Sequence, residues 1–278
     1  MIHTSFESQL PATAPPGHLR FVCISDTHSQ HDKLTLPPGD VLLHSGDFSY
    51  HGEEQEVEKF VAWLKGLPYR WKIIIAGNHE CIFHLDYFKK HQWLWSRAGN
   101  ILTPEDALAY ARKVRHILAD TSLQESHGIV YLEDSGFEIS EGGGIKVWGS
   151  PWQPEFCDWA FNLPTNSQAL ANQWSLIPPT TDILLTHGPP LSILDKSIRG
   201  DSCGCAQLSK RLLTTPPLDA TGPKVHLFGH IHEAYGVVQK KGITFINGCS
   251  VNSKYKCVNR PVVFDFKAEE GDGMDVDL

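Results

Sequence analysis

The chain has 278 residues, 41% hydrophobic and 20% charged, a composition that supports a large buried core rather than a disordered or fibrous polymer. Much of its formal charge of −8 lies between Lys267 and Leu278, five acids against one lysine, without which the net charge is −4. The body therefore offers no basic stripe for duplex nucleic acid and no polybasic face for an anionic membrane.

Residues 1–19, with Pro11, Pro15 and Pro16 among scattered Ser and Thr, read as a flexible N-terminal tail without a secretory signal. Residues 267–278 are expected to form an acidic disordered tail, which leaves 20–266 as one domain. Nowhere do 18 apolar residues run without a charge, so no transmembrane helix is expected. Seven cysteines, an odd number with no paired spacing, favour reduced thiols and a soluble, cytoplasmic protein over a disulfide framework.

In chain order, short β-branched runs read as buried strands: Phe21–Ile24, Val41–Leu43, Lys72–Ile75, Ile183–Leu185, Val225–Phe228, Ile243–Ile246 and Pro261–Phe264. Between the second and third, Glu53–Lys65 carries Val57, Phe60, Val61 and Leu64 at helical spacing, which makes a β-α-β unit. A second helix opens at Thr103-Pro104-Glu105-Asp106, with a cap, a proline at its first position and an acid three residues on. Its apolar stripe is Leu108, Ala111, Val114 and Leu118. Strands alternating with helices indicate an α/β fold.

The chemistry sits just past the strands. Asp26-Thr-His28, Gly46-Asp47, Gly77-Asn78-His79-Glu80, Thr186-His187-Gly-Pro-Pro190 and Gly229-His230-Ile-His232 each follow a strand end, where loops of an α/β sheet converge on a crevice. Carboxylates, imidazoles and one amide, with no thiolate, suit five- or six-coordinate Mn, Fe or Zn better than a closed Cys-rich zinc site. Asp26 with His28, and His230 with His232, are two apart, so on an extended segment each pair would present two ligands to one place. The glycines before Asp47, Asn78 and His230 fit loops that crowd closely together.

This ordered set of motifs, spanning Arg20 to Phe266, resembles the calcineurin-like metallophosphoesterase superfamily. The stretch Gly-Asp-Phe-Ser, a helix, Leu-Pro-Tyr and Ile-Ala-Gly-Asn-His-Glu is similar to the small eukaryotic metallophosphoesterase-domain proteins related to the brain-type phosphodiesterases. The resemblance implies a sandwich of two mixed β-sheets flanked by helices, with a dinuclear metal site at the C-terminal ends of strands. It implies two divalent ions, one held by Asp26, His28 and His232 and the other by Asn78, His187 and His230, with Asp47 bridging. His79 would match the family's non-ligand histidine, which assists the leaving group or stabilises the phosphoryl oxygens. Two such cations about 3.5 to 4 Å apart can acidify a water toward a pKa of about 7 and clamp the attacking and leaving oxygens.

Other features have plainer readings. His44 and His226, inside strands, are expected to be structural, and His31, His51, His84, His91, His116 and His127 to lie on the surface. Cys203-Gly-Cys205 lacks a second pair and reads as structural, and Cys81 as a small packed residue near the site. The segment Trp148-Gly-Ser-Pro-Trp152 could wall the crevice, and Trp152 joins Asn78 and His79 as a candidate substrate contact.

The expected function is a metal-dependent phosphodiesterase acting on small diesters such as cyclic nucleotides. Gly46-Asp47-Phe-Ser-Tyr-His-Gly52 lacks the Asp-Arg-Gly continuation of Ser/Thr protein phosphatases, and few clamping arginines are in view for a dianion. The alternatives are a phosphomonoesterase or protein phosphatase of the same chemistry, and a catalytically silent scaffold.

Overall fold

The β-branched runs of the sequence are strands buried on nearly every residue, as expected when both faces of a sheet are covered. The computed structural model describes residues 2–3, 13–96, 98–99, 101–214 and 222–267. Its strands are β1 (Ile2–His3), β2 (Leu19–Ile24), β3 (Val41–Ser45), β4 (Trp71–Ile75), β5 (Ile129–Tyr131), β6 (Ser135–Ile139), β7 (Ile145–Ser150), β8 (Gln153–Pro154), β9 (Asn162–Leu163), β10 (Ile183–Thr186), β11 (Val225–Phe228), β12 (Gly236–Lys240), β13 (Ile243–Asn247) and β14 (Val262–Phe266). Its helices are α1 (Glu54–Gly66), α2 (Leu85–Lys90), α3 (Gln92–Trp95), α4 (Pro104–Ala119), α5 (Ser122–His127), the distorted turn α6 (Glu141–Gly144), α7 (Gln168–Ser175) and α8 (Ala206–Leu213).

Two six-stranded mixed sheets carry the molecule, in the orders β1-β14-β2-β3-β4-β5 and β12-β13-β11-β10-β7-β6. In the first, β2, β3, β4 and β5 are parallel while β14 and β1 run antiparallel at one edge. In the second, β7, β10, β11 and β13 are parallel and the flanking β6 and β12 antiparallel.

Alternation along each strand assigns its side chains to two layers. Phe21, Cys23, Leu43 and Ile73 of the first sheet meet Leu185 and Leu227 of the second in a shared apolar layer. The intervening residues Val22, Ile24, Leu42 and Ile74 turn to the opposite face and pack on Val57, Phe60 and Leu64 of α1 and on Ala111 and Val114 of α4. Leu184 and Phe245 likewise face Leu170 and Trp174 of α7 and Leu208 of α8. The result is the expected two-sheet sandwich with helices outside both sheets.

Local signals explain the two long helices. Glu53 and Glu56 form a capping box at α1, and Thr103 accepts the Asp106 backbone N–H at α4 with Pro104 at its first position, contacts that satisfy amides the helix cannot. On α4 the buried stripe begins at Ala107, while Leu108 is only half-buried. No helix among the described residues is long and apolar enough to cross a membrane. All seven cysteines are free. Of the expected N-terminal tail, Ile2–His3 pairs with β14 and residues 4–12 lie outside the described residues, as does the acidic tail after Lys267.

Candidate metal centre

Five parallel strands, β2, β3 and β4 of one sheet and β10 and β11 of the other, end at one edge of the sandwich, and each is followed by one of the motifs. A parallel bridge between Ser25 and Cys249 ties the two sheets together there, with Ser25 N–H donating to the Gly248 carbonyl at 2.8 Å.

The loops do not stay extended past the strands. Asp26, His28, Asp47 and His230 have φ of 50°, 40°, 54° and 66°, in the left-handed region that costs non-glycine residues of order 1–3 kcal/mol each. The expectation of an extended segment is therefore corrected, although Asp26 and His28 do bring their ligand atoms to one place as expected. Convergence comes from left-handed turns, and His230 and His232 reach different acidic partners. Backbone bonds hold the turns: Asp26 N–H to the Gly46 carbonyl and His28 N–H to the Asp47 carbonyl, both at 3.0 Å, and His230 N–H to the Asp26 carboxylate at 3.0 Å. Gly77 and Gly229 are required by proximity, since a Cβ on Gly77 would overlap the Asp47 carboxylate and one on Gly229 the Asp26 carboxylate.

All seven expected ligands come together. His232 Nε2 lies 3.2 Å from Asp26 Oδ1 and 3.3 Å from His28 Nε2. His187 Nε2 lies 3.0 Å from Asn78 Oδ1 and 3.3 Å from Asp47 Oδ2, and His28 Nε2 lies 3.9 Å from the same Asp47 oxygen. Ligand atoms of Asp26, His28 and His232, and those of Asp47, His187 and His230, fall within 4.8 Å of one another. So do those of His28, Asp47 and His79.

The donor chemistry fits cations. His187 Nδ1 faces the Ser45 carbonyl at 2.9 Å and His28 Nδ1 the Ser49 carbonyl at 3.3 Å. A carbonyl only accepts, so each Nδ1 carries the proton and each Nε2 directs a lone pair into the site, the arrangement by which outer hydrogen bonds set a ligand's tautomer. Lone pairs and carboxylates aimed at common points repel unless positive charge lies among them. Burial drives His28 down to about 4 and His230 down to about 3, so both are neutral and able to ligate at pH 7. Burial also disfavours charged His187, but the Asp47 carboxylate outweighs it and raises the imidazole to about 9, so a proton occupies that Nε2 lone pair until a cation displaces it. Burial opposes ionisation of Asp47 as well, yet His187 and His79 hold it well below the usual carboxylate range.

Around the candidate ligands stand further residues. Glu80, fully buried, accepts Gly77 N–H at 2.6 Å, Asp47 N–H and Ser49 N–H at 2.9 Å, and the Ser49 hydroxyl at 2.7 Å, clamping the loops after β3 and β4. Burial and then the Asp47 charge push this carboxyl up to about 8, against the pull of those donors. The Cys249 thiol donates to Asp26 Oδ2 at 3.2 Å. The strand histidines are structural as expected: His44 pairs with Thr27 at 3.0 Å and His226 with Thr186 at 2.8 Å, steadying the neighbours of Asp26 and His187.

A cavity of about 470 Å³ opens over Asp47, Asn78, His230 and His232, with His79 at its wall. His79 Nδ1 donates to the Tyr50 carbonyl at 2.9 Å, its Nε2 lies 4.0 Å from Asp47 Oδ2, and its ring stacks on Trp159 at 4.3 Å. Trp152 does not line the cavity. Its indole Nε1 donates to Asp134 and its ring packs edge-on to His84 and Phe161, while the aromatic walls are Phe156, Trp159 and Tyr255. His31 is likewise not a surface residue: it is 7% exposed, set against Phe60 and Trp63. Cys203 is half-buried on the cavity wall, Cys205 caps α8, and Cys81 is fully buried.

Residues 19–234 match the model of the calcineurin-like phosphoesterase family. The chain is 42% identical over 260 residues to human Metallophosphoesterase domain-containing protein 1, covering 91% of this chain and 73% of that one. It is 39% identical over 260 residues to a UPF0046 protein of Caenorhabditis elegans, covering 93% and 63% of the two. A solved structure, the phosphopantetheinyl hydrolase PptH of Mycobacterium tuberculosis, superposes with a TM-score of 0.50 at 15% identity, over 84% of this chain and 90% of that one, a likeness of fold. With the family match spanning every motif of the site from Asp26 to His232, the chain belongs to the calcineurin-like phosphoesterases, metal-dependent phosphoesterases by family.

Proposed function

We propose that the chain is a phosphodiesterase acting on small diesters such as cyclic nucleotides. In this reading Asp26, His28 and His232 hold one divalent cation, Asn78, His187 and His230 hold a second, and Asp47 is shared. The observation that carries it is the convergence of lone pairs and carboxylates from five loops onto adjoining points, two of the imidazoles oriented by backbone carbonyls. Two cations of the Mn, Fe or Zn kind would supply Lewis acidity there and lower the pKa of water from 15.7 toward about 7.

The chain's own groups do the rest. The Asp47 carboxylate offsets repulsion between like charges. His79, with its Nδ1 proton committed to Tyr50, faces the cavity with Nε2 and can hold there the proton that the leaving oxygen needs. Trp159 covers one face of that imidazole and keeps water from it.

Preference for a diester is supported by charge. Among the described residues, no lysine or arginine lines the cavity, while Glu155 and Glu233 do. A dianionic monoester would face two carboxylates without a guanidinium to match it, whereas a singly charged diester needs less, and Phe156, Trp159 and Tyr255 offer apolar area to its organic groups. Metal-loaded protein should turn over bis(p-nitrophenyl) phosphate with kcat/KM at least about tenfold above that for p-nitrophenyl phosphate. The reverse order would make it a phosphomonoesterase, and silence toward both with metals bound would leave a scaffold.

A further inference from the structure

Cys249 is a free, fully buried cysteine beside the centre that the proposed chemistry leaves unused. It stands just past β13, in a turn that carries none of the metal-site motifs yet is bound to the loops of Asp26 and His232. Its backbone bridges Ser25, with Ser25 N–H donating to the Gly248 carbonyl at 2.8 Å and Ser250 N–H to the Ser25 carbonyl at 2.7 Å. Asn247 donates Nδ2 to the Ile231 carbonyl at 2.9 Å, between His230 and His232, while its Oδ1 accepts Cys249 N–H at 3.1 Å. From this turn the Cys249 side chain reaches Asp26. Its Sγ lies 3.2 Å from Oδ2, and because an ionised carboxylate only accepts, the sulfur supplies the proton. The same oxygen lies so near Gly229 that a Cβ there would overlap it. Oδ1 instead faces His232 Nε2 at 3.2 Å, in the cluster with His28. His230 N–H is shared between the two oxygens, at 3.1 and 3.0 Å. The sulfur itself belongs to none of the three clusters of candidate ligand atoms among the described residues.

We propose that Cys249 is a positioning residue: its thiol holds Asp26 Oδ2 against the protein, so that the carboxylate presents Oδ1 to the cation it shares with His28 and His232. This deepens the two-cation reading of the centre and rests on it. Asp26 stands on a left-handed turn with φ of 50°, and with one carboxylate oxygen held, the other keeps its place beside the imidazoles before any ion arrives. Outer hydrogen bonds of this kind orient a ligand, and a ligand oriented beforehand loses little freedom on binding. The effect falls on one half of the centre. Cys249 makes no hydrogen bond to Asn78 or His187, and His187 is oriented separately, by the Ser45 carbonyl at 2.9 Å.

The test titrates metal-free wild type, Cys249→Ala and Cys249→Ser with manganese in a calorimeter. It repeats the alanine change on Asn78→Ala, which keeps the first half-site, and on His28→Ala, which keeps the second. Cys249→Ala should weaken one of the two binding events by about tenfold, the low end for an outer partner because a thiol is a weak donor, and leave the other within about twofold. Serine, which restores a donor, should recover most of that affinity. The loss should persist on Asn78→Ala and vanish on His28→Ala. In wild type, the infrared difference between manganese-loaded and metal-free protein should contain an S–H stretch, absent from Cys249→Ser, that moves to higher frequency as Asp26 shares its charge with the ion. That measurement serves if the alanine variant does not fold. Equal weakening of both ions, or equal loss with serine and alanine, would mark a merely structural residue and overturn the inference, as would an S–H band that manganese does not move. Two ions bound with wild-type affinity by Cys249→Ala sink the positioning role alone, whereas wild type that binds no manganese brings down the metal centre and the role with it.

Discussion

Replacing His79 by alanine separates the two roles its position allows. The side chain makes one hydrogen bond, from Nδ1 to the Tyr50 carbonyl, and one stacking contact, with Trp159 at 4.3 Å. Losing them costs about 1 kcal/mol each, so the melting temperature should fall by roughly 4 to 8 °C in a protein of this size. The backbone bond from His79 N–H to Asp47 Oδ1 remains, and none of the seven proposed ligands is touched, so metal content should stay at two ions per chain. Turnover should drop by about 10² to 10⁴, the worth of a positioned acid or base. The loss should be greatest for an alkyl leaving group, which needs a proton, and smallest for p-nitrophenolate, which does not. Steady-state kinetics on both kinds of diester, beside metal analysis, provide the assay. Because ligand atoms of His28, Asp47 and His79 also lie within 4.8 Å of one another, loss of an ion in the variant would make His79 a ligand. An equal loss for good and poor leaving groups would refute proton donation.

Gly229→Ala should drive a methyl group into the Asp26 carboxylate and the Ser25 hydroxyl, costing about 1–3 kcal/mol of overpacking and weakening the Asp26, His28 and His232 site first. Wild-type melting with both ions retained would contradict that steric reading. Acid should destabilise the chelated protein through histidines outside the centre. Burial lowers His44 and His226 to about 3 and His84 to about 4, from 6.5. The unfolded chain takes these three protons as pH falls past 6.5 while the folded chain refuses them until about 4 or below. The contribution of these three to stability is therefore full above 6.5 and declines on acidification through that window, by about 4 kcal/mol per pH unit near pH 5. His226→Gln should reduce the slope by one proton, and a flat profile from pH 6.5 to 4 would rule the explanation out.

The strands that hold the site were legible because parallel strands covered on both faces must be apolar throughout, as Ile73–Ile75 and Ile183–Leu185 are. The edge strands β6 and β12, half-exposed and polar at several positions, carry no such run and went unread. So did α7 and α8, whose eight residues each are too few for a clear stripe. Division into two sheets came from family resemblance, since apolar runs say which segments are buried and not which neighbour they pair with. The residues that converge were readable because each follows a strand end, but the left-handed turns that aim Asp26, His28, Asp47 and His230 override the local spacing argument. The aromatic walls were misassigned because position along a loop does not reveal orientation: Trp152 is tied down by Asp134 while Trp159 reaches the cavity. Glu80 stood in a recognised motif, yet its work, four donors on one carboxyl, appears only once two loops are placed together.

Anomalous diffraction from crystals grown with manganese bears most directly on the dinuclear centre. Two peaks about 3.5 to 4 Å apart should appear, one bounded by Asp26, His28 and His232, the other by Asn78, His187 and His230, with Asp47 within coordinating distance of both. A single peak, or two that do not share Asp47, would contradict the proposed metal centre and the hydrolysis built on it.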